Sequence, residues 1–136
     1  MRVVCWLALV LVAAVGCAPT LKGPFDGDAK EVILRQLAAF RAGDFETAFL
    51  YASRLLRNQF TLEKFERMVK ADYPQIAQSS HAWVLETRSV QRGIVHVQLR
   101  IRGADGTFVR ATYEMVREDT YWRVNGVVAR PDPNIL

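Results

Sequence analysis

The 136-residue chain has few of the side chains that dedicated chemistry needs. Its two cysteines, Cys5 and Cys17, lie within or at the end of an apolar leader, so the rest of the chain has neither a disulfide framework nor a thiolate metal site. Its two histidines, His81 and His96, are too few for a histidine-rich metal site. We therefore expect no metal and no cofactor.

An excess of charge of one sign is also missing. The formal charge of +4 falls to +3 when Arg2 is removed with the leader, which leaves a mildly basic surface. Nucleic-acid binding would need a basic stripe or a recognisable motif, and neither is present. We expect no nucleic-acid partner.

The leader itself is the most specific feature of the chain. Arg2 precedes an apolar run, Val3 to Val15, that fits a signal peptide and is too short to span a bilayer as a helix. The order Ala14-Val15-Gly16-Cys17 resembles the bacterial lipoprotein processing box, which implies acylation of the cysteine and cleavage before it. An ordinary secreted protein, cut near Ala18 with a free Cys17 thiol, is the alternative.

This interpretation divides the chain into a lipoprotein signal peptide (1–16), a lipidated cysteine with its tether (17–27), a single domain (28–131) and a tail (132–136). Two or more acyl chains hold a protein firmly in a bilayer, so Cys17 predicts a membrane partner. Ala18 after the cysteine, where an inner-membrane retention signal would usually be Asp, favours the periplasmic face of the outer membrane over the inner membrane.

Helical spacing dominates the first half of the domain. Asp28, Asp44 and Thr61 are each suited to cap a helix, which predicts three helices: about Ala29 to Ala42, Phe45 to Arg57, and Leu62 to Asp72.

From Ala82 the apolar period changes to two, which predicts an antiparallel sheet of about four strands. Gly93 and Gly106 each end a three-residue hairpin loop. These loops predict Leu85 opposite Leu99 and Trp83 opposite Ile101 in the first hairpin, then Leu99 opposite Ala111 and Val97 opposite Tyr113 in the second. The domain is therefore expected to be α+β.

The predicted register gives the sheet one buried face without a carboxylate or histidine, so a pocket there would lack an acid–base catalyst. His81 comes just before the first predicted strand; its side chain has the parity of the buried face and could lie at the mouth of such a pocket. A ligand pocket between helices and sheet would be formed by His81, Trp83, Thr87, Ser89, Tyr113 and Trp122. For Thr87, Ser89 and Tyr113, core residues with satisfied hydroxyls are the simpler interpretation.

On the outer face the register places His96 opposite Glu114 and beside Arg88. It also gathers Arg100, Arg102 and Arg110, which could meet an acidic partner or phosphate headgroups or could be an ordinary solvated surface.

The order of helices and strands resembles the nuclear-transport-factor-two-like fold, a cone in which helices pack on a curved sheet. More closely, the domain resembles an uncharacterised bacterial family, domain of unknown function forty-eight sixty-four. The residues that carry this resemblance are structural: Gln36, Phe40, Asp44, Ala48, Phe49, Ala52-Ser53, Phe65, Met68-Val69, Tyr73-Pro74, Gly106, Trp122-Arg123-Val124 and Gly126. The resemblance brings no catalytic residue; the chain departs from it at Arg54 and Val127.

Two functions remain open at this point. The first is a lipid-anchored, non-catalytic domain that binds an envelope protein or a small apolar ligand. The second is a small cone-fold enzyme, isomerase-like or dehydratase-like, with His81 as base and Tyr113 as hydrogen-bond donor; it requires both side chains to face one cavity.

Overall fold

A computed structural model describes residues 27–133. Five helices come first: α1 (Ala29–Arg41), α2 (Phe45–Leu50), α3 (Arg54–Gln59), α4 (Leu62–Asp72) and α5 (Pro74–Ala77). Four strands follow: β1 (Ser79–Gln91), β2 (Ile94–Gly103), β3 (Phe108–Glu118) and β4 (Tyr121–Pro131). They form one antiparallel sheet in the order β1-β2-β3-β4, which confirms the α+β prediction. Within residues 27–133, no helix is both long and apolar enough to cross a bilayer.

The three predicted helix caps form as expected, because each side-chain oxygen accepts a hydrogen bond from a backbone amide three residues ahead. These bonds are Glu31 N to Asp28 Oδ1 (2.9 Å), Thr47 N to Asp44 Oδ1 (3.0 Å) and Lys64 N to Thr61 Oγ1 (3.2 Å).

The predicted second helix is wrong, because the chain leaves the helical conformation at Ala52-Ser53. Ser53 N donates to Val124 O at 2.8 Å and Val124 N donates to Tyr51 O at 2.9 Å, so this segment pairs with β4 instead. Ser53 then caps α3, its Oγ accepting from Leu56 N. This break and the short α5 make five helices in the described chain instead of three.

The register of β2 with β3 is as predicted: Leu99 pairs with Ala111 and Val97 with Tyr113. The register of β1 is wrong over its first half. Val84, not Leu85, pairs with Leu99, because the pairing shifts between Val84 and Glu86 and leaves Leu85 as an extra residue.

This β-bulge reverses the side chains before it, since neighbouring residues in a strand point to opposite faces. Trp83 pairs with Arg100 and His81 with Arg102, so both lie on the outer face. Ala82 takes the inner position opposite Ile101.

The core lies between the helices and the inner face of β2 and β3. The fully buried side chains include Val32, Ile33 and Leu37 of α1 together with Val97, Leu99, Ile101, Ala111, Tyr113 and Met115 of the sheet. The helical layer does not reach the far half of β1, where every residue from Trp83 to Gln91 is exposed.

Candidate functional site

A partly open cavity of about 190 Å³ lies between the helices and the inner face of the sheet. Phe40 of α1, Leu56 of α3, Met68 of α4, Tyr113 of β3 and Val127 of β4 are among the residues that line it. Because apolar side chains from both the helices and the sheet form its walls, the cavity can exclude water from a ligand of suitable size.

One polar group in the cavity is without a partner. The residue Tyr113 is only 1% exposed, and its buried hydroxyl finds no hydrogen-bond partner among residues 27–133. Burial, and to a smaller degree the neighbouring Tyr73, raises the pKa of Tyr113 well above its ordinary value. The hydroxyl therefore stays protonated and is available as a hydrogen-bond donor.

The other polar groups in the cavity are occupied within the fold. Tyr73 donates its hydroxyl hydrogen to Val127 O at 3.3 Å. Gln36, which is also buried, donates from Nε2 to Ala48 O at 3.0 Å. The described residues that line the cavity include no Asp, Glu, Lys, Arg or His. The site therefore suits a neutral molecule with one hydrogen-bond acceptor.

A second polar cluster crosses from the outer face of the sheet to the helices at the β4 edge. His96 Nε2 lies 3.3 Å from Glu114 Oε2, and Asn125 Nδ2 donates to Glu114 Oε1 at 2.7 Å. Ser53 Oγ donates to Asn125 Oδ1 at 2.8 Å. The hydrogen bond from Asn125, followed by that from His96, lowers the pKa of Glu114. The cluster links β2, β3 and β4 to the cap of α3.

The arginines of the outer face have partners within the fold. Asp132, whose side chain is fully buried, lies 3.0 Å from Arg100 Nε through Oδ2 and 3.6 Å from Arg110 Nη2 through Oδ1. The guanidinium groups of Arg100 and Arg102 lie 4.3 and 5.9 Å from the centre of the Phe108 ring. A carboxylate and an aromatic face thus offset part of this positive charge.

The comparisons with known proteins point to one family. A family model described as "Domain of unknown function (DUF4864)" matches residues 25–135. The chain belongs to this family. No curated protein matches the chain significantly.

The DUF4864 domain is similar in fold to a SEC-C motif containing protein from Rhodopseudomonas palustris. Identity is 14%, the TM-score is 0.50, and the match covers 73% of this chain and 76% of that one. Aln2 from a Streptomyces species is 15% identical, with a TM-score of 0.49 and coverage of 75% and 86%. At these identities the first likeness concerns the fold alone.

Of the six side chains predicted to line a pocket in the DUF4864 domain, only Tyr113 lines the cavity. Thr87 and Ser89 have the expected inner-face register, but they lie beyond the helices and are exposed. Trp122 is half-buried against the core, with the Arg117 guanidinium 5.8 Å from its ring.

His81 and Trp83 are on the opposite face of the sheet from the cavity. Their rings stack with centroids 5.6 Å apart, and Trp83 stacks in turn on Phe108 at 6.2 Å. His81 and Tyr113 therefore do not face a common cavity, which removes the geometry that the isomerase-like alternative requires.

The predicted placement of His96 opposite Glu114 and beside Arg88 is correct. The sequence does not indicate the role of Asp132, which the predicted boundaries assign to the tail, or the hydrogen bond from Ser53 to Asn125. In residues 27–133, no group of three or more His, Cys, Asp or Glu is arranged to hold a metal ion. Cys17 and the predicted signal peptide, 1–16, lie outside the described residues.

Proposed function

We propose that this protein is a non-catalytic binding domain that takes a small, neutral, largely apolar molecule into the cavity between helices and sheet. The observation that carries the proposal is the Tyr113 hydroxyl, a buried donor without a partner at the wall of an apolar cavity. A buried donor that makes no hydrogen bond destabilises a fold, and such groups are uncommon unless something satisfies them. A ligand acceptor would satisfy this one.

The size of the cavity limits the ligand. An engineered apolar cavity of about 150 Å³ binds benzene, so 190 Å³ suits a single ring with a small substituent. The substituent would be a carbonyl, ether or similar oxygen placed to accept from Tyr113. A carboxylate ligand would lose its hydration without gaining a cationic partner, since no charged side chain lines the cavity.

The proposal places the domain at a bacterial membrane. Cys17, acylated after removal of residues 1–16, would anchor the chain at the periplasmic face of the outer membrane. The domain begins at Asp28, and ten residues span at most about 36 Å, so the cavity would lie close to the lipid surface. Apolar compounds concentrate at such a surface, which suits a site that takes up apolar molecules.

We also assign the domain to the cone-like, nuclear-transport-factor-two-like folds. In support, helices cover the inner face of β2 and β3, and β1 and β4 carry pairing irregularities of the kind that bends strands. The likeness to the Rhodopseudomonas palustris protein is consistent with a shared architecture, but it does not name that architecture.

The ligand class is tested with three single-ring probes, benzaldehyde, toluene and benzoate, by thermal shift and calorimetry on the full chain in detergent. We expect benzaldehyde to bind more tightly than toluene and benzoate not to bind. Tyr113→Phe should weaken benzaldehyde about two- to tenfold, the worth of one hydrogen bond, and leave toluene unchanged. Failure of both neutral probes to bind, or equal binding of benzoate, would refute the ligand class.

The anchor is tested separately by mass spectrometry of the mature protein. The expected amino terminus is an acylated Cys17, and the Cys17→Ala variant should appear in the soluble fraction. An unmodified terminus elsewhere would refute lipid anchoring through Cys17. The proposed binding of a ligand in the cavity does not depend on this result.

A further inference from the structure

The far half of β1 is an exposed sheet edge with apolar side chains on it. β1 is the first strand of the sheet order, so one side of its backbone has no neighbouring strand in the described chain. Trp83, Leu85 and Val90 are 46%, 47% and 50% exposed. β1 is 13 residues long and has neither proline nor lysine, two of the residues that commonly protect edge strands from pairing. It does have bulges at Leu85 and Val90, so unhindered pairing is confined to the regular residues between them.

The opposite edge of the sheet is protected differently. The segment Tyr51–Ser53 pairs with β4 at Val124, and α3 packs beside it. Along β1, helix contacts are made near its start, where Arg41 donates to Ser79 Oγ. A second strand could therefore approach β1 between Trp83 and Gln91 without meeting the helical layer.

The sequence of this edge is complementary to itself. Between the two irregular positions, Leu85 and Val90, the strand is regular and reads Glu86-Thr87-Arg88-Ser89. If two copies lie antiparallel with a two-fold axis at Thr87, each Glu86 stands opposite the partner's Arg88.

We propose that two copies of this chain associate through β1, antiparallel about a two-fold axis at Thr87. The contact is isologous, since the same surface is used on both copies, and the two sheets of four strands become one sheet of eight. Backbone hydrogen bonds supply affinity, while the two Glu86–Arg88 pairs fix the register. The sheet residues that line the cavity belong to β3 and β4 and none to β1, so the dimer leaves the cavity accessible.

Charge reversal tests the register. Sedimentation of the full chain in detergent should show dimers, and Glu86→Arg or Arg88→Glu should each raise the dimer dissociation constant about tenfold or more, because like charges then face each other twice. The double variant Glu86→Arg/Arg88→Glu restores opposite charges and should dimerise like the original chain. A monomeric original chain, or a double variant no better than the single ones, would overturn the proposal.

A disulfide tests the axis independently. Across an antiparallel pair the Cα atoms of facing residues are about 4.5 to 5.5 Å apart, within the range that a disulfide spans. In a Cys5→Ser/Cys17→Ser background, Thr87→Cys should form a covalent dimer on mild oxidation. Val128→Cys, at a position of β4 that is also exposed, is the matched control and should remain monomeric under the same conditions. Equal cross-linking at both positions would contradict pairing through β1.

Discussion

Replacing Tyr113 by phenylalanine should stabilise the ligand-free domain while it weakens ligand binding. In the absence of ligand the hydroxyl is buried without a hydrogen-bond partner, so its loss of hydration on folding is not compensated. Phenylalanine keeps the ring, which is packed in the core, and removes only the oxygen. The variant therefore loses a destabilising group and no packing contact.

The expected size of this effect follows from the cost of an unsatisfied buried group, about 1 to 3 kcal/mol. Some relaxation toward the partly open cavity reduces that cost, so we expect a gain of about 1 kcal/mol in the free energy of unfolding. For a domain of about 100 residues this corresponds to a rise in Tm of roughly 4 °C or more. Urea unfolding of the ligand-free protein, with an unchanged m value, is the direct measurement.

Tyr73→Phe is the matched control, because it makes the same change at the same cavity. The Tyr73 hydroxyl donates to Val127 O, so its removal leaves a carbonyl without that bond and should cost about 1 kcal/mol. The two variants should therefore change stability in opposite directions. If Tyr113→Phe is destabilising by about 1 kcal/mol or more, the Tyr113 hydroxyl has a hydrogen-bond partner in the folded domain and is not available to a ligand.

Three further predictions concern the polar clusters. Ser53→Ala should cost about 2 kcal/mol in urea unfolding, because it removes both the α3 cap and a bond to the sheet edge; a cost below about 0.5 kcal/mol would show that the link is not formed. Asp132→Asn should cost about 1 to 2 kcal/mol, since Arg100 and Arg110 lose their shared carboxylate but keep part of their hydration, and an unchanged Tm would contradict this. The lowered pKa of Glu114 contributes stability that is present above its ordinary value of 4.5 and lost as pH falls through the folded value. Glu114→Gln should thus reduce the loss of stability on acidification below about pH 5, measured by urea unfolding across pH; an identical pH profile would refute the assignment.

Features that depend on neighbouring residues could be predicted from the sequence. The caps at Asp28, Asp44 and Thr61 form because the bonded amide is three residues away. The register of β2 with β3 follows from a short loop and one unbroken alternation of apolar residues. The break at Ser53 could not be predicted in this way, because its bonding partner, Val124, is far along the chain and the local spacing is still helical.

The candidate site could be predicted only in part, for two physical reasons. The first is an unbroken apolar run, Ala82-Trp83-Val84-Leu85, whose periodicity does not show which residues face the core. The pairing of β1 with β2, with its bulge at Leu85, determines that Ala82 and Val84 take the inner positions. That bulge puts His81 and Trp83 on the face opposite the predicted one. The cavity arises where side chains from several elements fail to fill the space between them, and the unpartnered state of Tyr113 depends on the same gap. A pattern within one strand can place Tyr113 on the inner face, but only the assembled layers show that its hydroxyl meets no acceptor there.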